Sequence, residues 1–322
     1  MMASDRRAFG RTGLDVSALC IGTSSWGPAR AGESGQARDA RVDAMARRAF
    51  DGGFGTNVVD TSNIYGDGLS EVYLGRALAA LGGLPQGVVL QTKLDRDLVT
   101  GSFSAEQMRR SASESFERLG LDRVQVLYLH DPESLGFEAA MAPGGPVETL
   151  IALRDEGVTA HIGISGGPVD MMQRFVETDV FDALVTHNRY TLVDRSATAM
   201  LEAAVQRGVG VCNAAPYGAG VLTGDPRFAD GYGYRPIRPG VRAAVERMSA
   251  LCAEAGIPLA AAALQFSLRA PLVHTTIVGG SAEGRLDEAV ALAAVSIPEG
   301  LWAELDAVAP GADDALDMSS RG

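Results

Sequence analysis

The chain has 322 residues, 46% of them hydrophobic and 21% charged, a globular composition with room for one large α/β domain or two ordinary ones. A formal charge of −12 excludes a standing attraction to nucleic-acid phosphates and serves solubility instead. No run of about 18 apolar residues is free of charge, so no membrane span is expected; three widely spaced cysteines, Cys20, Cys212 and Cys252, and an N-terminus without an apolar leader predict a reduced, cytoplasmic protein.

The first segment, RRAFGRTGLDVS, places RTG at a turn between two short extended stretches and predicts a β-hairpin. From Ala18 onward short β-branched runs alternate with amphipathic stretches. The runs are ALCIGT (18–23), TNVVD (56–60), VVLQTK (88–93), VQVLYLH (124–130), AHIGIS (160–165), DALVTH (182–187), GVGVCNA (208–214) and HTTIVG (274–279). Each is almost continuously apolar, as strands buried on both faces are. Between them lie segments such as DARVDAMARRAFDGG, SEVYLGRALAALGG and SAEQMRRSASESFERLG, apolar at every third or fourth position and closed by glycine, which predict helices. Strand then helix, eight times, predicts a parallel (β/α)8 TIM barrel, with the hairpin capping its bottom and an extra helix at the C-terminus. No Pro/Gly/Ser linker divides the chain, so residues 1–322 are expected to form a single domain. Two irregular stretches, 131–145 and 223–240, follow strand ends, where loops of such a barrel carry function.

The carboxyl ends of the strands are therefore the place to look for a site. They present Thr23, Asp60, Lys93, His130, Ser165, His187 and Ala214. Singly, each polar residue has a bland explanation: Asp60 as the cap of the turn DTSN, Lys93 as a rim side chain, His130 as a satisfied core histidine. Together, on three successive strands and with Tyr65 five positions past Asp60, they suggest one use. A phenol is a poor acid at neutral pH unless a cation stabilises the phenolate. Lys93 is expected to be that cation and to lower the pKa of Tyr65, Asp60 to hold the ammonium by an ion pair, and His130 to hydrogen-bond at the same oxygen.

Asp60, Tyr65, Lys93 and His130, with GRTGLDVSALCIGT, SEVYLGRAL and GVLTG, resemble the aldo-keto reductase superfamily over essentially the whole chain. The resemblance implies an NAD(P)-dependent enzyme in which Tyr65 passes a proton and a nicotinamide cofactor passes a hydride, with Tyr65 and His130 also touching substrate. VLYLHDPES, THNRYTLVD and NAAPYGAG resemble the aldose 1-dehydrogenases of that superfamily, which act on L-fucose, L-galactose or D-threo-aldoses, and also pyridoxal 4-dehydrogenase. The implied function is oxidation of a small aldose at C1 to a lactone. Pyridoxal 4-dehydrogenation and general NADPH-dependent carbonyl reduction are the alternatives within the enzyme class.

By the same resemblance, Gly22, Thr23, Asp60, Ser165 and His187 contact the cofactor, as do Tyr217, Gly218, Gly220 and Leu222 of YGAGVL. Gly279, Ser281 and Arg285 of TTIVGGSAEGRLDEAV grip the adenosine phosphate, with a helix start after Ser281 to offer free N–H groups. Several positions depart from the family pattern. Gly166 stands where asparagine is usual, His187 where glutamine is common, and Ala214 where an aromatic often stacks on nicotinamide, a role open to Asn188 or Tyr190. Ser281 replaces a frequent basic residue and Ala289 a frequent asparagine, which leaves Arg285 as the cation there and favours NAD over NADP.

Other classes fit less well. YGAGVLTGDP holds a glycine pattern one residue too long for a Rossmann turn and is followed by proline. His130 and His187 could sit on one rim as metal ligands, but no H-x-H, H-E-x-x-H or C-x-x-C pattern accompanies them, so no metal is expected. Some members of the superfamily are cofactor-binding subunits of ion channels, so a regulatory subunit without turnover is the reading from another class. The partner expected is a small sugar or carbonyl compound, in a pocket lined by Trp26, Tyr65 and loop residues Phe137, Tyr232 and Tyr234.

Overall fold

The computed structural model describes residues 2–316, so the two ends of the domain expected over 1–322 lie outside the described residues. Every apolar run becomes a strand: β1 Leu19–Gly22, β2 Val58–Asp60, β3 Val89–Leu94, β4 Val124–His130, β5 Thr159–Gly166, β6 Ala183–His187, β7 Gly210–Ala214 and β8 Thr275–Gly279. They pair in parallel, each with the next, and β8 returns to β1 to close the barrel.

Both faces of these strands are buried, which is why they read as unbroken apolar runs. One set, including Cys20, Val58, Val89, Val126, Tyr128, Val185 and Cys212, packs together inside the barrel. The alternate set, including Ile21, Val59, Leu90, Leu127, Ile164 and Leu184, packs against the surrounding helices. The expected hairpin pairs Arg6–Ala8 with Asp15–Ser17, and Phe9 in its turn joins the interior cluster as a plug. Gly10 is required there, because a Cβ would sit 2.3 Å from the carbonyl oxygen of Gly208.

Helices alternate with the strands as expected, and Ser34 and Ser104 cap two of them by accepting hydrogen bonds from the N–H groups of Ala37 and Gln107. The extra C-terminal helix, Glu299–Ala307, buries Leu301, Trp302 and Leu305 against the helix Pro239–Glu254. Among the described residues no single helix is long and apolar enough to cross a membrane.

The two long stretches after strand ends are more ordered than their composition suggests. Residues 131–145 contain a turn at Pro132–Ser134 and a short helix Phe137–Met141, and 223–240 contain a turn at Pro226–Phe228 and a two-rung hairpin of Gly231–Tyr232 with Arg235–Pro236. Aromatic anchors explain the order. Phe137 stacks 4.8 Å from Phe175, and the Tyr232 hydroxyl donates to Asn188 O at 2.7 Å.

Strand register brings the polar ends to one level. Asp60 pairs with Gln91, Lys93 with Tyr128, His130 with Ser165 and His187 with Ala214.

Candidate active site

Lys93 is the hub of the site. Its ammonium, 1% exposed, donates to Asp60 Oδ1 at 2.8 Å, to Thr61 O at 2.7 Å and to Tyr65 Oη at 3.2 Å. The other oxygen of Asp60 accepts from Gln91 Nε2 at 2.8 Å, so a buried carboxylate is held from both sides. Burial alone would lower the Lys93 pKa, but Asp60 and Tyr65 outweigh it and raise the net value, so the side chain stays an ammonium.

The turn bearing Tyr65 is fastened independently. Gly66, at φ +59°, lies so close to Gly27 that a Cβ would come within 2.5 Å of its Cα, and only glycine fits. Arg118 donates to Asn63 O at 2.8 Å while pairing with Glu71 at 3.3 Å, and Glu71 accepts from Thr92 Oγ1 at 2.7 Å, tying the turn to β3 beside Lys93.

Two expectations about this group need correction. The Tyr65 pKa is raised, not lowered: burial is the largest influence, Asp60 adds to it, and Lys93 pulls in the expected direction without overcoming them. His130 meets Tyr65 ring against ring, edge-on with centroids 5.8 Å apart, and gives its Nδ1 to Asp95 Oδ1 at 2.6 Å and to Ser62 Oγ at 3.1 Å. That leaves Nε2 to face the cavity. Burial lowers the His130 pKa, yet Asp95 and Asp131 more than offset it and the net shift is upward, towards the imidazolium.

These groups form one end of a cavity of about 1080 Å³, ample for an extended ligand. From Tyr65, Lys93, His130 and Asp131 it runs past Ser165, His187, Ala214, Tyr217 and Gly220 to Gly279, Ser281, Arg285 and Ala289, with Gly22 and Asp60 on its floor. His187 therefore faces the cavity, while Asn188 is fully buried and Tyr190 packs 5.2 Å from Phe266. Tyr217 gives this wall the aromatic surface that Ala214 cannot.

Other expected contacts lie behind the wall. Thr23 is buried with its hydroxyl on Thr61 Oγ1 at 2.8 Å, Leu222 is fully buried, and Gly218 packs under the ring of Tyr232. Trp26, expected against the substrate, is fully buried and donates its indole N–H to Gly280 O at 3.1 Å, because the turn after β1 folds inward onto the core. Phe137 and Tyr232 are loop anchors, whereas Tyr234, 79% exposed, does stand at the rim.

The structure also brings up residues that the sequence did not single out. Arg30 and Arg227 line the far end with Arg285, so that cation is not alone. Arg30 donates to Ser281 O, Arg227 pairs with Asp225 at 2.5 Å, and Arg285 pairs with Glu288 at 3.1 Å. Gln91 had a legible signal: with Lys93 it occupies an alternate position of an apolar run, and alternate residues of a strand share a face, a spacing that Asp95 continues just past the strand end.

The residues present suit a dinucleotide. Ser25 Oγ is buried on the cavity wall without a protein hydrogen-bond partner, and the helix Glu283–Ala293 starts where Gly279 to Ala282 border the cavity, offering N–H groups to phosphate oxygens. Asp60, Lys93, Tyr65 and His130 gathered at the carboxyl mouth of a (β/α)8 barrel, beside a cleft of that length, are the arrangement of a nicotinamide-dependent barrel oxidoreductase. The Aldo/keto reductase family model matches residues 18–310, and the chain belongs to that family. It is 34% identical to a D-threo-aldose 1-dehydrogenase of Pseudomonas sp., over 94% of this chain and 97% of the relative, and 33% identical to an L-galactose dehydrogenase of Arabidopsis thaliana, over 90% and 88%. Its fold is similar to that of an aldo-keto reductase from Bacillus halodurans in its holo form, with a TM-score of 0.73 and 21% identity over 99% of this chain and all of that one. The protein is thus an NAD(P)-dependent oxidoreductase of small molecules.

Proposed function

We propose that the protein oxidises a small aldose at its anomeric carbon to the lactone, with NAD preferred and Tyr65 as proton acceptor. The observation that carries this reading is the 3.2 Å contact between Tyr65 Oη and a Lys93 ammonium locked on Asp60. The bound nicotinamide supplies the hydride acceptor for the C1 hydrogen. Tyr65 takes the proton of the C1 hydroxyl, and His130 Nε2 donates to the same substrate oxygen to hold it in place. Because burial favours the neutral phenol, Tyr65 must first give its own proton to solvent water through the open cavity for oxidation, and Lys93 is the group that stabilises the resulting phenolate. The similarity to two aldose dehydrogenases supports the choice of substrate class.

For the cofactor, Ser281 and Ala289 offer no charge, and two of the three cavity arginines there are already matched by Asp225 and Glu288. A carboxylate at that end suits a ribose hydroxyl and opposes a 2′-phosphate. The test is turnover of L-fucose, L-galactose, D-threo-aldoses and pyridoxal, followed at 340 nm with each cofactor. Rapid aldose oxidation with NAD is expected. Turnover confined to pyridoxal, carbonyl reduction with NADPH alone, or cofactor binding without turnover of any substrate would each contradict the reading.

A further inference from the structure

Next to His130, at the start of the loop after β4, stands a group of acceptors that make no hydrogen bond with Tyr65 or Lys93. Asp131, Glu133 and His187 each bring one ligand atom within 4.8 Å of the others. Asp131 and His187 line the cavity that holds Tyr65 and His130. Asp131 Oδ1 and Glu133 Oε2 are covered yet have no protein hydrogen-bond partner, although the Asp131 side chain is 42% exposed to the cavity and the other Glu133 oxygen is fixed by Gly167 N–H at 2.6 Å. Acceptors left without protein partners on a cavity wall are open to donors that arrive with a ligand. Asp131 also holds φ +44°, which turns it out of the strand direction. Its Oδ2 lies 3.8 Å from His130 Nε2, the nitrogen assigned above to the reacting oxygen. That separation is within reach of a hydroxyl one carbon away from an oxygen held by His130 Nε2.

We propose that Asp131, backed by Glu133 and faced by His187, receives the hydroxyl on the carbon next to the reacting one, and so makes the enzyme select polyhydroxylated substrates over simple aldehydes. The inference rests on the aldose reading and adds the residues that recognise the sugar. A site that accepts a hydrogen bond discriminates strongly against the ligand that lacks the donor, because its own acceptors then stay unpaired. Two carboxylates at this point also disfavour substrates with an anionic group near the reacting carbon. His187, whose pKa burial pushes down to about 4, is neutral under assay conditions and can donate or accept.

The experiment is a double-mutant cycle between protein and substrate, using the aldose turned over fastest, its 2-deoxy form and 4-nitrobenzaldehyde, with Asp131→Asn and Asp131→Ala. Asparagine suits the left-handed backbone at this position, so Asp131→Asn keeps the loop while removing the charge and one acceptor. For both variants the kcat/KM ratio of aldose to 4-nitrobenzaldehyde should fall about tenfold or more, mainly through KM. The wild-type preference for the aldose over its 2-deoxy form should shrink by a similar factor. Unchanged ratios in a folded variant of an enzyme that does oxidise aldoses would overturn the assignment and leave the aldose reading standing. A wild-type enzyme that reduces 4-nitrobenzaldehyde but oxidises no aldose would overturn both. The assays are repeated after EDTA treatment and with added Mn²⁺ or Zn²⁺; aldose turnover that needs the ion would make the three side chains metal ligands and overturn the proposal as well.

Discussion

The two ends of the cavity handle charge in opposite ways. At the end that holds Tyr65, proposed above to carry the chemistry, Asp60 and Lys93 are 3% and 1% exposed, sit on adjacent strands and hold each other at 2.8 Å. At the far end Arg285 and Glu288 are about half exposed on one helix, and Arg227 is more exposed still. A buried pair cannot lose one member without stranding the other, whereas an exposed pair is screened and contributes little. The first end should therefore decide whether chemistry occurs, and the second only which cofactor is taken.

Tyr65→Phe carries the largest effect that follows from this contrast. It removes one oxygen from the first end and leaves the far end untouched, so kcat should fall about 10²-fold or more while the Kd for NADH, measured by fluorescence quenching, stays within about twofold. A matching loss of cofactor affinity would mean that the two ends are not separable.

Asp95→Asn acts one step further out, because Asp95 touches His130 Nδ1 at 2.6 Å and does not line the cavity. With Asp95 present the imidazolium persists above its ordinary 6.5. Without it burial, the largest influence, is opposed by Asp131 alone, and the His130 pKa falls. Oxidation kcat/KM at neutral pH should drop roughly tenfold, and the gap from wild type should narrow as the pH is lowered and the variant's ring takes up its proton. A pH-independent loss would point to packing alone.

His187 allows a stability test between the two ends. Its pKa is depressed by burial to about 4, so the stabilisation is present above the ordinary 6.5 and is lost as pH falls towards 4. The midpoint of thermal unfolding should decline over that window, and His187→Gln should flatten the decline.

The smallest effect belongs to the far end. Glu288→Ala frees Arg285 for a 2′-phosphate and should shift the NADP to NAD ratio of kcat/KM by about fivefold, the scale of one exposed charge contact. A change of a hundredfold would show that this end is far less screened than its exposure implies.

The barrel was legible because strands buried on both faces leave an unmistakable pattern, and because chemistry in this architecture collects at strand ends. Asp60, Tyr65, Lys93 and His130 converge where their positions predicted. Side-chain direction beyond a strand end was not legible. Thr23 and Trp26 follow β1 by one and four residues, and the chain there turns inward, so both are buried behind the wall that they were expected to form. Arg30 was out of reach for another reason: its partner, Ser281 O, lies 251 residues away. The direction of the Tyr65 shift was missed because composition shows the cation beside a phenol but not the burial that outweighs it.

The central claim is that Lys93 makes Tyr65 a usable base, and the pH profile of aldose oxidation for Lys93→Met against wild type tests it most directly, with NAD affinity measured in parallel. Wild-type kcat should rise with pH as long as His130 keeps its proton, since Tyr65 must ionise from a raised pKa. Lys93→Met should bind NAD, lose about 10²-fold or more near neutrality, and show its residual activity only at higher pH still. A variant that binds NAD normally and keeps near wild-type rates from about pH 6 to 10 would contradict the account.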